Sequence, residues 1–146
     1  EAYDVGLTAN GSYAVFRDFE LTNTYPRRIV GDFYGADHYL VRGTNLNAFA
    51  SESIFANLII HDGCGIGFWS TAINSEIYGN IVYNVGQDAK DRGHCHNIYT
   101  QNLQPTKKIT DNIVFNNFGY GIHAYTENGN IDNMNFEGNT VFNSWV

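Results

Sequence analysis

The chain has 146 residues, long enough for one domain with a real core, because 43% of it is hydrophobic and 15% aromatic. Lys and Arg total 8 against 15 for Asp and Glu, a formal net charge of −7 that repels phosphate backbones; with Arg27-Arg28 and Lys107-Lys108 as the basic pairs, nucleic acid is not an expected partner. No apolar run approaches the roughly 18 residues that span a bilayer, and Glu1-Ala2-Tyr3-Asp4 has no secretory-leader character, so membrane insertion is not expected and any leader would lie outside this sequence.

In chain order, the first patterned piece is residues 15–23, and it recurs without gaps at 54–62, 77–85, 109–117 and 136–144. Read as columns, the first position is Val15, Ile54, Ile77, Ile109 and Phe136. Three residues on stand Asp18, Asn57, Asn80, Asn112 and Asn139; after three mostly apolar positions come Thr22, His61, Asn84, Asn116 and Asn143. Such a run predicts a strand, a turn at Asn and a second strand. Two columns after the Asn compete for the interior, Phe19/Leu58/Ile81/Ile113 and Ile59/Val82/Val114/Val141, with Thr140 and Glu20 as their misfits. Between the first two copies, residues 25–35, with Pro26, Arg27 and Arg28, break the spacing and read as a long lateral loop. Residues 36–49 resume a strand at His38-Tyr39-Leu40-Val41.

A second alignment joins Gly65-Ile66, Asn97-Ile98 and Gly121-Ile122, each ahead of a further short apolar piece. Its first column holds only residue types that enter left-handed backbone cheaply, which predicts a recurring bend. In that register Tyr99 falls beside Gly67 and His123, and Gln101 falls between Trp69 and Tyr125. Each repeat then supplies three short strands and three bends in roughly 23 to 32 residues, within the range of solenoids. Helical repeats are excluded, because the segments are rich in Ile, Val, Phe, Tyr and Asn and show no sustained 3.6-residue apolar period. Stacked coils set equivalent side chains about 4.8 Å apart, so Asn columns become amide ladders and aliphatic columns fill the interior.

The expected fold is therefore all-β, a right-handed parallel β-helix of about five to six coils. It forms a single domain over 1–146, with irregular N-terminal coils at 1–50, regular repeats at 51–146 and a lateral insertion at 86–96. Trp145-Val146 follow a strand signature without a polar cap, so open ends are expected, as in a module of a longer solenoid or a unit that self-associates end to end into a filament.

Gly79-Asn80-Ile81-Val82-Tyr83-Asn84 and Gly138-Asn139-Thr140-Val141-Phe142-Asn143, with the later Gly-Ile, resemble the parallel β-helix repeat of the pectate-lyase-like superfamily. Asp91-Arg92-Gly93-His94-Cys95-His96-Asn97-Ile98-Tyr99-Thr100-Gln101-Asn102 and Phe118-Gly119-Tyr120-Gly121-Ile122-His123-Ala124-Tyr125 resemble bacterial right-handed parallel β-helix repeat-containing proteins. The similarity runs over about residues 13–146. It implies a polysaccharide partner and a secreted or cell-surface setting in a bacterium, although the fold also serves lyases, hydrolases, epimerases, phage adhesins and passive surface proteins.

Chemistry is sought where the repeat is interrupted, since functional residues sit on loops held by a rigid scaffold. The insertion carries Gln87, Asp88, Lys90, Asp91, Arg92, His94 and His96, the densest ionisable cluster in the chain. Next to it the register places Trp69, Tyr99, Gln101, His123 and Tyr125 as substrate-binding residues. Aromatic faces pack on sugar C–H faces, and Arg92 would neutralise a uronate carboxylate. His94, His96 or Lys90 would then remove the proton alpha to it, with Tyr99 or His123 as acid. The plainer alternatives are a solvated turn held by local ion pairs at 88–92 and an exposed ladder residue at His123.

Hydrolysis would need two carboxylates roughly 5 to 9.5 Å apart, with Asp88, Asp91 and Asp62 as candidates. Gly93-His94 echoes the polygalacturonase Gly-His-Gly motif, but Cys95 replaces its second Gly, and the other motifs of that family and the calcium-binding Asp cluster of pectate lyases are not recognisable. A metal site from His61, Cys64, His94 and His96 has suitable ligand types, since alternation puts His94 and His96 on one face, yet the spacing matches no established zinc signature. Asp62-Gly63-Cys64-Gly65 is too sparse for a calcium-binding repeat, so no cofactor is expected and calcium has no motif behind it. Cys64 and Cys95, about one residue out of register in adjacent coils, fit either a disulfide or two stacked buried thiols.

Overall fold

The structure, a computed structural model, describes residues 5–23, 43–88 and 94–145. These residues form fifteen strands: β1 (Val5–Ala9), β2 (Val15–Arg17), β3 (Glu20–Thr22), β4 (Thr44–Ala48), β5 (Ile54–Ala56), β6 (Ile59–His61), β7 (Ile66–Ser70), β8 (Glu76–Tyr78), β9 (Ile81–Tyr83), β10 (His96–Thr100), β11 (Lys107–Thr110), β12 (Ile113–Asn117), β13 (Tyr120–Ala124), β14 (Met134–Glu137) and β15 (Thr140–Ser144). Every third strand stacks on the last, giving three parallel five-stranded sheets: sheet A (β1-β4-β7-β10-β13), sheet B (β2-β5-β8-β11-β14) and sheet C (β3-β6-β9-β12-β15). This is a parallel β-helix of five described coils. The expected lateral loop at 25–35 and the strand at 38–41 lie outside the described residues.

The interior is a set of aliphatic and aromatic columns. Leu46, Phe68 and Ile98 come from sheet A, Phe55, Ile77 and Ile109 from sheet B, and Ile60, Val82 and Val114 from sheet C, all fully buried. Each such side chain contributes about 1.5–3 kcal/mol when fully removed from water. Val82 and Val114 therefore face inward with Ile60, whereas Ile59, Ile81 and Ile113 share an outward column in which Ile59 and Ile113 are exposed. The fifth coil continues the interior columns of Ile109 and Val114 through Phe136 and Val141, which are 44% and 45% exposed.

The bends depart from the gapless alignment. Ile54 pairs with Glu76, and Phe55 with Ile77, so the first two repeats stand one residue out of step with the later three. Asn holds two different places in the coil. The true turn column is Asp18, Asn57, Gly79, Asp111 and Gly138, with φ of 61°, 54°, 63°, 55° and 67°. Left-handed backbone costs least for Gly, Asn and Asp, which explains its composition. Asn80, Asn112 and Asn139 belong one place later, above Leu58. There they form an internal ladder: Asn112 N donates to Asn139 Oδ1 (3.1 Å), Asn80 N to Asn112 Oδ1 (3.0 Å) and Leu58 N to Asn80 Oδ1 (2.9 Å). Their Nδ2 groups donate to Phe55 O, Ile77 O and Ile109 O of the neighbouring coil. A second turn column is Asp62, Asn84, Asn116 and Asn143, so His61 aligns with Tyr83 rather than with Asn84.

The Gly65/Asn97/Gly121 bend is also corrected. Ile98 pairs with Phe68 and Ile122, which puts Asn97 between Gly67 and Gly121 inside sheet A, with Gly65 two residues earlier. The whole column reads Gly6, Asn45, Gly67, Asn97, Gly121. Its glycines serve packing, not a turn. A Cβ on Gly67 would lie 2.8 Å from Asn97 O, and one on Gly121 would lie 2.4 Å from Val141 Cγ1. Asn97 fills the space so left, donating from Nδ2 to Val82 O and Phe115 O.

Candidate functional site on the outer face of sheet A

Pairing within sheet A strings Thr8, Asn47, Trp69, Tyr99 and His123 into one column. Asn97 and Ile98 both turn inward in β10, so His96 joins Tyr99 on the outer side; there it stacks on Tyr99 (5.1 Å) and meets His123 (4.6 Å) and Tyr120 (5.6 Å). His123 is itself sandwiched between Tyr120 (4.5 Å) and Tyr125 (5.2 Å, 11° between planes), and Phe49 packs edge-on against Trp69. The register correction thus moves Trp69 beside Tyr99. Gln101, expected between Trp69 and Tyr125, instead donates from Nε2 to Tyr99 Oη (3.4 Å) and Tyr125 O (3.3 Å).

Two outward ring columns run up this solenoid, and they differ in a way that matters for binding. On sheet C, His61, Tyr83, Phe115 and Phe142 stack nearly parallel, at 4.9 to 5.0 Å and 1° to 8°, so each ring face is covered by the next. On sheet A the rings splay: Trp69 to Tyr99 is 6.5 Å at 54°, and Tyr99 to His123 is 5.6 Å at 61°. Tilted in this way, Trp69 and Tyr99 do not cover each other's faces, and both are partly exposed. Tyr120 and Tyr125, flanking His123, are 41% and 45% exposed.

The two imidazoles form a close pair, with His96 Nε2 and His123 Nδ1 3.4 Å apart, one nitrogen donating and the other accepting. Burial pushes His96 down to about 3, reinforced by repulsion from His123 and His94. Burial also lowers His123, with His94 adding to it. Both are neutral at neutral pH, and His123, half-buried, is the more accessible base. Among the described residues His96 Nδ1 and Trp69 Nε1 have no hydrogen-bond partner.

Behind the face lies a residue that no sequence motif marks. Lys107 begins β11 and is fully buried, with Nζ donating to Ser70 Oγ (2.9 Å), Ser70 O (3.2 Å), Thr100 Oγ1 (3.2 Å) and Gln101 O (2.6 Å). It ties together the segments that carry Trp69 and Tyr99. Burial drives its ammonium down to about 7, opposed by two carbonyls and two hydroxyls that favour the charged form. The available signal is a lysine in a column otherwise filled by Ala14, Ser53, Ser75 and Met134. Tyr120 is a further residue of the face without a motif of its own; it precedes Ile122 as His96 precedes Ile98.

Of the insertion, Asp88 is partly buried and His94 is exposed just before β10; Lys90, Asp91 and Arg92 lie outside the described residues. Asp62 is engaged elsewhere, its carboxylate bonded to His61 Nδ1 and Asn84 Nδ2. His61 sits on sheet C between Asp62 (2.6 Å) and Glu20 (2.7 Å). Burial alone would lower it, but the hydrogen bonds and charges of the two carboxylates leave it raised. His61 and His96 therefore belong to different sheets, and among the described residues no group of three or more His, Cys, Asp or Glu is placed to hold a metal. Cys64 and Cys95 are buried and unbridged, the thiol rather than the disulfide arrangement, with Cys95 Sγ against Gln87 N (3.4 Å).

Comparison with protein-family models, with curated proteins and with solved structures finds no match. The class of protein that fold and face define is a parallel β-helix with an aromatic and imidazole-lined lateral surface.

Proposed function

We propose that this chain is a secreted or cell-surface, carbohydrate-associated β-helix of the pectate-lyase-like kind, from a bacterium, which holds a polysaccharide against the outer face of sheet A. The observation that carries this reading is the splayed aromatic cluster of sheet A, in which Trp69 and Tyr99 do not cover one another and are partly exposed, with Tyr120 and Tyr125 exposed around His123, ring surface that suits the C–H faces of sugars. A sheet built only for stacking would favour the closed geometry seen on sheet C.

Cleavage would centre on the His96–His123 pair. In β-elimination a neutral His123 would take the proton alpha to a uronate carboxylate, the glycosidic C–O bond would break, and Tyr99 or Tyr120 would protonate the leaving oxygen. Arg92 and Lys90 of the insertion would neutralise the carboxylate. Glycoside hydrolysis would instead draw on Asp88 and Asp91 as a carboxylate pair.

The test is affinity electrophoresis through gels cast with pectin, alginate and neutral glycans, alongside assays for unsaturated uronates and reducing ends. Retention without product makes the chain a binder, and product that disappears in His123→Ala makes it an enzyme. No retention and no product would discard the reading.

A structural solenoid that stacks end to end is the second reading, supported by the parallel pairing that runs through all five described coils of each sheet. Light scattering that shows only monomers at high concentration would count against it.

A further inference from the structure

We propose that His96 and His123 form a two-imidazole site for a divalent transition metal of the zinc type, bridging two neighbouring coils on the sheet A face. This goes beyond the polysaccharide reading and does not depend on it.

Spacing is the first support. Two nitrogens bound to one tetrahedral metal at about 2.0–2.1 Å stand about 3.3–3.4 Å apart, whereas neighbouring ligands of a square-planar metal stand about 2.9 Å apart. His96 Nε2 and His123 Nδ1 are separated by 3.4 Å. For a hydrogen bond that is long, since N–H donors usually sit about 2.7–3.2 Å from their acceptors. The pair is spaced like two ligands of one tetrahedral ion.

The second support is that both rings are already held in place. They come from β10 and β13, adjacent strands locked by pairing of His96 with Tyr120, Ile98 with Ile122 and Tyr99 with His123. His96 stacks on Tyr99 (5.1 Å), and His123 is sandwiched between Tyr120 (4.5 Å) and Tyr125 (5.2 Å). Side chains fixed in this way lose little further freedom when an ion arrives. The third is the chemistry of the donors. His96 is 3% exposed, and its contact with His123 is the only hydrogen bond its ring makes among the described residues. Imidazole nitrogen suits zinc, whereas calcium and magnesium take oxygen ligands. Among the described residues no third His, Cys, Asp or Glu completes the set, so the remaining positions on the ion fall to water and the ion is exchangeable.

Equilibrium dialysis against zinc chloride, with the imidazole signals followed by ¹⁵N NMR, tests the proposal. Zinc uptake should saturate, and the signals of His96 and His123 should shift together as it does; calcium at the same concentration should move neither. His123→Phe, which keeps a ring between Tyr120 and Tyr125, should weaken the uptake about tenfold or more, since even an outer-shell partner of a metal ligand commonly carries that much affinity. His61→Asn on sheet C should leave it unchanged. Zinc should also raise the urea midpoint of the unmodified chain and not that of His123→Phe, because the ion ties the coil of β10 to the coil of β13. If His123→Phe does not fold, the paired shift in the unmodified chain decides the matter. No uptake, uptake that leaves both imidazoles unmoved, or uptake undiminished in His123→Phe would overturn the site. None of these outcomes bears on glycan retention, which is scored separately.

Discussion

His96 Nε2 and His123 Nδ1 lie 3.4 Å apart on the outer face of sheet A, one imidazole buried and the other half-exposed. The buried member bears on stability. With the unfolded value near 6.5 and the folded value about 3, the unfolded chain takes up a proton across that window while the folded chain does not. The stability tied to neutral His96 is therefore complete above about pH 6.5 and is lost as pH falls toward 3, on the order of a few kcal/mol in all. Urea midpoints measured down this range should fall for the unmodified chain, and His96→Phe should flatten the slope.

His61 works in the opposite sense. Its pKa is raised by Asp62 and Glu20, so its contribution is present below the unfolded value near 6.5 and disappears as pH rises through the higher folded value. A histidine titration followed by NMR should find His61 losing its proton at higher pH than His96 and His123. Glu20→Gln should bring that titration to lower pH.

The internal ladder makes a prediction about stability alone. Asn112 Oδ1 accepts from Asn80 N and Asn80 Nδ2, and its own Nδ2 donates to Ile77 O and Asn139 Oδ1. Asn112→Ala strands buried groups on both neighbouring coils and should cost about 1 to 3 kcal/mol or more in denaturant unfolding. Asp111→Gly, one residue earlier in the turn column at φ 55°, should be tolerated, since Gly79 and Gly138 hold the same place in adjacent coils.

Lys107 gives a third pH signature. Its folded value of about 7 lies below the ordinary lysine value of 10.5, so the unfolded chain holds more protons between the two and stability rises with pH across that window. Denaturant midpoints should climb from about pH 7 toward pH 9. Lys107→Met should abolish that climb, and an unchanged slope in the variant would assign it to other groups.

How much of this was legible beforehand depended on how many jobs each residue type does. Parallel stacking shows in residues 77–85, 109–117 and 136–144, where one register serves aliphatic columns and Asn ladder alike. The step from the second coil to the third was misread because Asn57 is a left-handed turn residue while Asn80 is a buried ladder residue, and only pairing distinguishes them. Gly67 and Gly121 looked like bend residues for the same reason, when packing against Asn97 and Val141 is what demands a missing side chain. At the candidate site, Trp69, Tyr99, His123 and Tyr125 were visible as an aromatic cluster, but ring tilt, the depth of His96 and the direction of Lys107 are tertiary properties. No spacing rule reports them.

The most direct measurement is the emission of Trp69 on addition of glycan. In Trp145→Phe, Trp69 is the sole tryptophan, and it stands in the middle of the sheet A column between Asn47 and Tyr99. Binding along that face should give a saturable change in its emission, with a midpoint matching the calorimetric affinity. Glycan binding measured by calorimetry while Trp69 emission stays constant would put the ligand elsewhere and contradict the assignment of this face.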